Sequence, residues 1–218
     1  MMIARAHISD KASRVLLCLI AINVAIELVL TASDVGILDR GGLRQSVYQN
    51  GAFWAGLLHN WRPNYAAQPW TMFATYAFLH GGLAHLAGNM LTLWILGRMV
   101  IARAGLKGFW IIYILSAIGG GLGFGLLSLS ARPMVGASGA LFGLIGAVLY
   151  WRWSFHKRMR HARWPVLRTV GVLVGLNLLL WVLLGGFLAW ETHLGGFVAG
   201  WLTAVAFDWH ARRQLRRG

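Results

Sequence analysis

The chain of 218 residues is 58% apolar and only 12% charged, with a mean hydropathy of +0.61 and a net charge of +14. Soluble domains carry roughly a quarter charged residues, so the composition excludes a soluble domain as well as a disordered chain. The single cysteine, Cys18, excludes an intrachain disulfide scaffold. With these classes excluded, the composition indicates a polytopic membrane protein. The length accommodates about six helical spans of roughly 20 residues.

The chain contains six apolar runs, and charged residues, glycine or proline separate each run from the next. The predicted spans are 15–33, 71–97, 108–130, 134–151, 166–189 and 192–209. The first run is longer than the apolar region of a signal peptide, so we expect a retained helix. The prediction is a single all-α, six-transmembrane-helix domain over 1–218. It has short cytoplasmic tails at 1–14 and 210–218 and a membrane-associated external loop at about 34–70.

The basic residues fall in alternate intervals between these spans. Sixteen of the 20 lie in the two tails and in the second-to-third and fourth-to-fifth connections. The exceptions are Arg40, Arg44, Arg62 and Arg132. Cytoplasmic loops accumulate Lys and Arg, so both termini are predicted to be cytoplasmic. The charge therefore indicates topology and contact with the lipid bilayer, and it excludes nucleic acid as a partner because no basic patch lies on a soluble domain.

Polar residues are few within the spans, and three groups of them share one side of the membrane. The groups are His80, His85 and Asn89 in the second span, Gly136-Ala137-Ser138-Gly139 at the start of the fourth, and Glu191-Thr192-His193 at the start of the sixth. In the predicted topology these spans all begin on the external side. Polar side chains are costly in a membrane, so their convergence near the outer half of the bilayer predicts a functional site.

Glycine rows predict how two of these groups meet. The rows are Gly139, Gly143 and Gly146 in the fourth span and Gly196 and Gly200 below His193 in the sixth. Small residues at such spacing let two helix backbones approach closely, which would bring Ser138 and His193 within hydrogen-bonding distance. A serine beside a histidine is an activated nucleophile, since the imidazole accepts the hydroxyl proton.

The remaining polar residues predict stabilisation of an oxyanion. Ser138 begins its helix, so its N–H has no intrahelical acceptor. His85 and Asn89 are four residues apart on one helix face and supply side-chain donors, whereas His80 lies at the helix mouth. No acidic residue is placed as a third member, so the prediction is a Ser–His dyad. The sequence has no His-Glu-x-x-His motif, Cys/His cluster or pair of facing histidines for haem, and we expect no metal or other cofactor.

These motifs, in this order on the second, fourth and sixth spans, resemble the rhomboid intramembrane serine proteases from about Trp70 to Trp209. The resemblance implies that Ser138 is the nucleophile and His193 the base, and that His85 and Asn89 support the oxyanion. It implies supporting roles for Gly136, Gly139, Gly196 and Gly200, and a structural role for His80. The implied activity is serine-type endopeptidase cleavage of transmembrane segments of other proteins. We expect an integral, multi-pass protein of a prokaryotic cytoplasmic (inner) membrane.

One motif departs from the family pattern, and two alternatives to proteolysis stay open. Rhomboids usually carry Trp-Arg near the start of the second helix, whereas this chain has Trp70-Thr71 there and Trp61-Arg62 upstream. A rhomboid-like binder or chaperone of membrane proteins would share the fold but would not cleave peptide bonds. A transporter would use the polar cluster together with Glu27, for which a polar contact within the bundle is the simpler interpretation.

Overall fold

The computed structural model describes residues 8–38 and 41–215, and within them the chain is helical with no β-strand. The α-helices are α1 (Asp10–Asp34), α2 (Leu43–Gly51), α3 (Gln68–Thr75), α4 (Leu83–Leu127), α5 (Ser138–Arg158), α6 (Trp164–Leu183) and α7 (Trp190–Leu215). Short 3-10 turns occupy Ala55–Leu58 and Tyr76–Phe78. The all-α prediction is confirmed. The basic residues Arg5, Arg40, Arg216 and Arg217, used in the topology argument, lie outside the described residues.

Three of the described helices, α1, α4 and α6, are long and apolar enough to cross a membrane. The 45-residue α4 is broken at Gly105, whose φ of 71° and ψ of 174° are not helical. Glycine adopts a positive φ without a steric penalty, so this residue separates two arms, 83–104 and 106–127. The arms occupy much of the predicted second and third spans. Six spans with both ends in the cytoplasm stay a prediction.

The prediction of one continuous helix over 71–97 is wrong. Helix α3 ends at Thr75, Leu79 is extended, and α4 begins only after Gly82, which has a φ of 111°. His80 therefore lies in a break between two helices and not on the second span. Apolar residues on both sides of the break hide it from a hydropathy pattern, and the adjacent Gly81 and Gly82 were the available signal.

Helices α4, α5 and α7 form the packed centre of the bundle, with α7 against both of the others. The glycine rows lie at the α5–α7 interface. A Cβ atom added to Gly196 would overlap the carbonyl oxygen of Gly139, and one added to Gly200 would overlap that of Gly143. This close backbone approach aligns the first turns of α5 and α7.

Helix α6 is peripheral, and Val166 is the one buried residue within this fully described helix. A cavity of about 520 Å³ separates α6 from α5 and α7. Its lining is mostly apolar and includes Phe142, Trp181 and Trp190, together with the polar side chains of Asn177 and His193. Helix α6 is thus held to the bundle by fewer side chains than the other long helices.

A partly buried ion pair joins α1 to α2. Arg44 of α2 donates from Nη2 to Glu27 Oε1 at 2.8 Å and from Nη1 to Glu27 Oε2 at 3.1 Å. Glu27 is fully buried, and its hydrogen bond raises the pKa of Arg44 above the ordinary value for a guanidinium. Arg44 and Tyr48 also donate to the carbonyl oxygen of His80, at 3.0 and 2.5 Å. Glu27 is therefore engaged in a polar contact that fixes the break before α4.

Removal of one partner of this pair is expected to destabilise the bundle strongly. Glu27→Ala would leave Arg44 without its buried counterion, and such losses lower the free energy of unfolding by about 3–5 kcal/mol. Thermal unfolding of the detergent-solubilised protein measures the effect.

Asp34→Asn is the matched control, because Asp34 bonds the same guanidinium at 2.6 Å but its side chain is 43% exposed. Exposed pairs contribute about 0–1 kcal/mol, so this variant should unfold close to the wild-type temperature. Equal losses of stability in the two variants would contradict the assignment of Glu27 as the principal anchor.

Candidate active site

The loop before α5 positions Ser138 as the first residue of that helix. An isolated antiparallel bridge between Phe53 and Met134 holds the loop, and the Gly136 N–H donates to the carbonyl oxygen of Tyr76 at 3.0 Å. Gly136 has a φ of 129°. A Cβ atom there would lie 2.8 Å from His85 Cε1, so only glycine leaves room for the histidine ring beside Ser138.

Ser138 and His193 are hydrogen-bonded across the α5–α7 interface. The Ser138 Oγ lies 3.0 Å from His193 Nε2, and both residues are half-buried. The imidazole stacks on Phe142 with ring centroids 4.1 Å apart and an interplanar angle of 8°. The stack and the hydrogen bond together define the plane and direction of the His193 ring.

Asn177 completes the contacts of this ring and was missed by the sequence analysis. Its Oδ1 lies 2.5 Å from His193 Nδ1, on the side of the imidazole opposite Ser138. The available signal was the amide itself, since Asn177 is flanked by Leu176 and Leu178 in a strongly apolar helix. A polar side chain in such a span is costly and marks a candidate functional residue.

His85 and Asn89 lie next to Gly136, two residues before Ser138 in the chain. The Gly81 N–H donates to His85 Nδ1 at 3.3 Å, which leaves Nε2 as the protonated nitrogen of the neutral ring. A Cβ atom on Gly136 would lie 3.0 Å from His85 Nε2 and 3.5 Å from Asn89 Nδ2. The buried Asn89 Nδ2 has no hydrogen-bond partner among the described residues. Two N–H donors thus border the space beside the serine.

His80 is fully buried and contacts His85, with ring centroids 5.2 Å apart in an edge-on arrangement. Its carbonyl oxygen accepts the hydrogen bonds of Arg44 and Tyr48. His80 thus packs against His85 at this site. Within residues 8–38 and 41–215, no group of three His, Cys, Asp or Glu side chains is arranged to bind a metal ion.

The sequence model of the Rhomboid domain family matches residues 66–209, which include Ser138, His193, Asn177, His85 and Asn89. The chain belongs to the rhomboid family. As a rhomboid with apolar membrane-length helices, it is an integral membrane protein.

Several rhomboid proteins are similar to this chain. RHOMBOID-like protein 1 of Arabidopsis thaliana is 34% identical over 143 residues, which cover 63% of this chain and 34% of the relative. Rhomboid protease GluP of Bacillus subtilis (strain 168) is 35% identical over 142 residues, covering 63% of this chain and 26% of the relative. RHOMBOID-like protein 5 of Arabidopsis thaliana is 36% identical over 130 residues, covering 56% and 39%.

The chain thus spans between about a quarter and two fifths of the length of these rhomboid relatives. The relatives come from a plant and from a bacterium. The assignment to a prokaryotic inner membrane therefore stays a prediction.

Proposed function

We propose that this rhomboid is an intramembrane serine endopeptidase that cleaves transmembrane segments of other membrane proteins. The observation that carries the proposal is the 3.0 Å contact between Ser138 Oγ and His193 Nε2 in a bundle of apolar helices. A printed name among its relatives, Rhomboid protease GluP, supports the same activity. The transporter alternative loses its support, because Glu27 is paired with Arg44.

In the proposed reaction, Ser138 Oγ attacks the carbonyl carbon of the scissile peptide bond while His193 Nε2 accepts the hydroxyl proton. The tetrahedral intermediate collapses as His193 returns the proton to the leaving amine, so an acyl-enzyme ester forms on Ser138. Water then attacks the ester, again with His193 as the base. The second tetrahedral intermediate collapses as His193 returns the proton to Ser138 Oγ, which breaks the ester bond, releases the carboxylate product and regenerates the serine. The reaction consumes one water and needs no cofactor.

The negative oxygen of each intermediate would be stabilised by three N–H donors. These are the Ser138 backbone N–H at the start of α5, His85 Nε2–H and Asn89 Nδ2–H. The helix dipole adds positive potential at the same point. Donors held in place before the reaction stabilise developing charge without reorganisation, and one such donor contributes roughly 10²–10³-fold to turnover.

The proposed substrate class follows from the position of the serine and the nature of a membrane helix. The peptide carbonyls of a regular helix are engaged in intrahelical hydrogen bonds, so the nucleophile reaches them only where the substrate helix unwinds. Glycine and other poor helix formers lower the cost of unwinding. We therefore expect cleavage within transmembrane segments that carry small, helix-breaking residues.

The test uses the full chain reconstituted in liposomes with a fluorescent reporter transmembrane substrate and, in parallel, a fluorophosphonate probe. The proposal expects wild type to cleave the reporter and to be labelled, and expects Ser138→Ala to do neither. Ser116→Ala is the matched control, since Ser116 is a buried serine of α4 and should retain both activities.

Labelling mapped to a residue other than Ser138, or full cleavage by Ser138→Ala, would overturn the mechanism. A folded wild-type protein that binds reporter helices without cleaving or labelling would favour the non-catalytic binder instead.

A further inference from the structure

The amide of Asn177 is bonded on both of its sides, which fixes its orientation. Its Nδ2 donates to the carbonyl oxygen of Leu173, one turn earlier on α6, at 2.9 Å. A carbonyl oxygen can only accept a hydrogen bond, so the atom facing Leu173 must be the NH₂ group. The atom facing His193 Nδ1 is therefore the Asn177 oxygen, and a flipped amide would lose both contacts.

This orientation determines the tautomer of His193. The Asn177 oxygen is an acceptor, so His193 Nδ1 must carry the proton at this contact. In a neutral imidazole the other nitrogen, Nε2, then has a free lone pair. That lone pair faces Ser138 Oγ at 3.0 Å and is the acceptor that the serine proton requires.

We infer that Asn177 is a positioning residue that holds His193 in the base-competent tautomer and orientation. The inference rests on the proposed protease function and extends it from a Ser–His pair to a chain of three side chains from α5, α7 and α6. Asn177 occupies the place that a carboxylate takes in a Ser–His–Asp triad, with an uncharged oxygen as the acceptor. A neutral acceptor avoids the cost of a charge in an apolar helix.

Packing alone does not explain the amide. Helix α6 buries only Val166, and Asn177 is half-buried beside the 520 Å³ cavity. A leucine at this position would continue the apolar sequence of the helix. Its contact with the imidazole is therefore the feature that requires an oxygen at residue 177.

The experiment compares Asn177→Leu, Asn177→Asp and wild type in the liposome cleavage assay, with Leu176→Ala as the control on α6. Leu176 is 49% exposed and does not line the cavity, so its variant should be as active as wild type. We expect Asn177→Leu to lower kcat by roughly 10- to 100-fold while KM changes less than about two-fold, because Asn177 orients the base and does not contact substrate. Asn177→Asp retains the acceptor oxygen and should recover most of the lost kcat.

A spectroscopic measurement separates this role from a structural one. The ¹⁵N chemical shifts of histidine distinguish the two neutral tautomers, and the His193 signal is assigned by its loss in His193→Gln. Wild type should show Nδ1 protonated and Nε2 unprotonated, and Asn177→Leu should show a mixture. The thermal unfolding temperature of Asn177→Leu should stay at or above the wild-type value.

Three outcomes would overturn the inference while leaving the proposed protease intact. They are a wild-type His193 protonated at Nε2, a kcat for Asn177→Leu within about two-fold of an active wild type, or a lower kcat that Asn177→Asp does not recover. If Asn177→Leu does not fold, the wild-type tautomer of His193 and the kcat of Asn177→Asp still test the inference. An inactive wild type would instead reject the proposed function itself.

Discussion

Cleavage of a transmembrane reporter should fall by roughly 10⁴-fold or more in Ser138→Ala, and His193→Ala should fall to a similar level. The reason is that the 3.0 Å contact couples the two side chains in one step, in which the serine proton leaves only as the histidine accepts it. The double variant should therefore be no slower than either single variant. Initial rates in proteoliposomes at saturating reporter measure all three.

The proposed oxyanion donors would account for the activity that remains. His85 and Asn89 are unchanged in each variant and would still stabilise charge on the substrate carbonyl when water attacks directly. Thermal unfolding of the variants must match wild type for the comparison to hold. Strictly multiplicative losses, with the double variant far below both singles, would show that the two residues act independently and would contradict the coupled step.

Gly200→Ala and Gly196→Ala should each destabilise the fold strongly. Each added methyl group would overlap a carbonyl oxygen of α5, that of Gly143 or Gly139, and a backbone atom cannot rotate away as a side chain can. The two helices must separate along their length, so we expect a loss of about 3 kcal/mol or more in the free energy of unfolding. Denaturant titration in detergent micelles measures it.

Gly171→Ala and Gly175→Ala are the matched controls, because a Cβ atom at either position has no other heavy atom within 4 Å. Both glycines lie inside α6, where alanine stabilises a helix by about 0.5–1 kcal/mol relative to glycine. These variants should therefore be as stable as wild type or slightly more so. A loss of stability on α6 equal to that on α7 would refute the close α5–α7 contact as its cause.

Much of the bundle was predictable because membrane helices follow simple rules. Apolar runs of span length indicated the long helices, and the glycine rows indicated which helix faces meet. Ser138 and His193 could be selected because they head those rows, and the structure brings their side chains into contact. These features depend on spacing along one helix, which a sequence displays directly.

The features that were missed depend on contacts between distant segments or on single-residue geometry. The break around His80 depends on the left-handed backbone of Gly82, which hydropathy does not record. Asn177 approaches His193 from a different helix, and its uncharged side chain differs from the acidic third member of a Ser–His–Asp triad. Arg44 is an exception to the charge pattern between spans, and its guanidinium donates to both Glu27 and the His80 carbonyl oxygen, a contact between distant segments.

The anchor between Glu27 and Arg44 has a consequence for the minimum length of chain that can be active. The region shared with the family starts at residue 66, yet both anchor residues precede it. Arg44 donates to the His80 carbonyl oxygen, and Glu27 is the counterion of Arg44. His80 in turn packs against His85, beside the serine. A fragment trimmed to the shared region would keep every residue of the proposed chemistry. It would lose the Glu27–Arg44 pair, which supports the backbone at His80 next to the site. Residues 1–65, co-expressed as a separate peptide, would supply the missing pair to such a fragment.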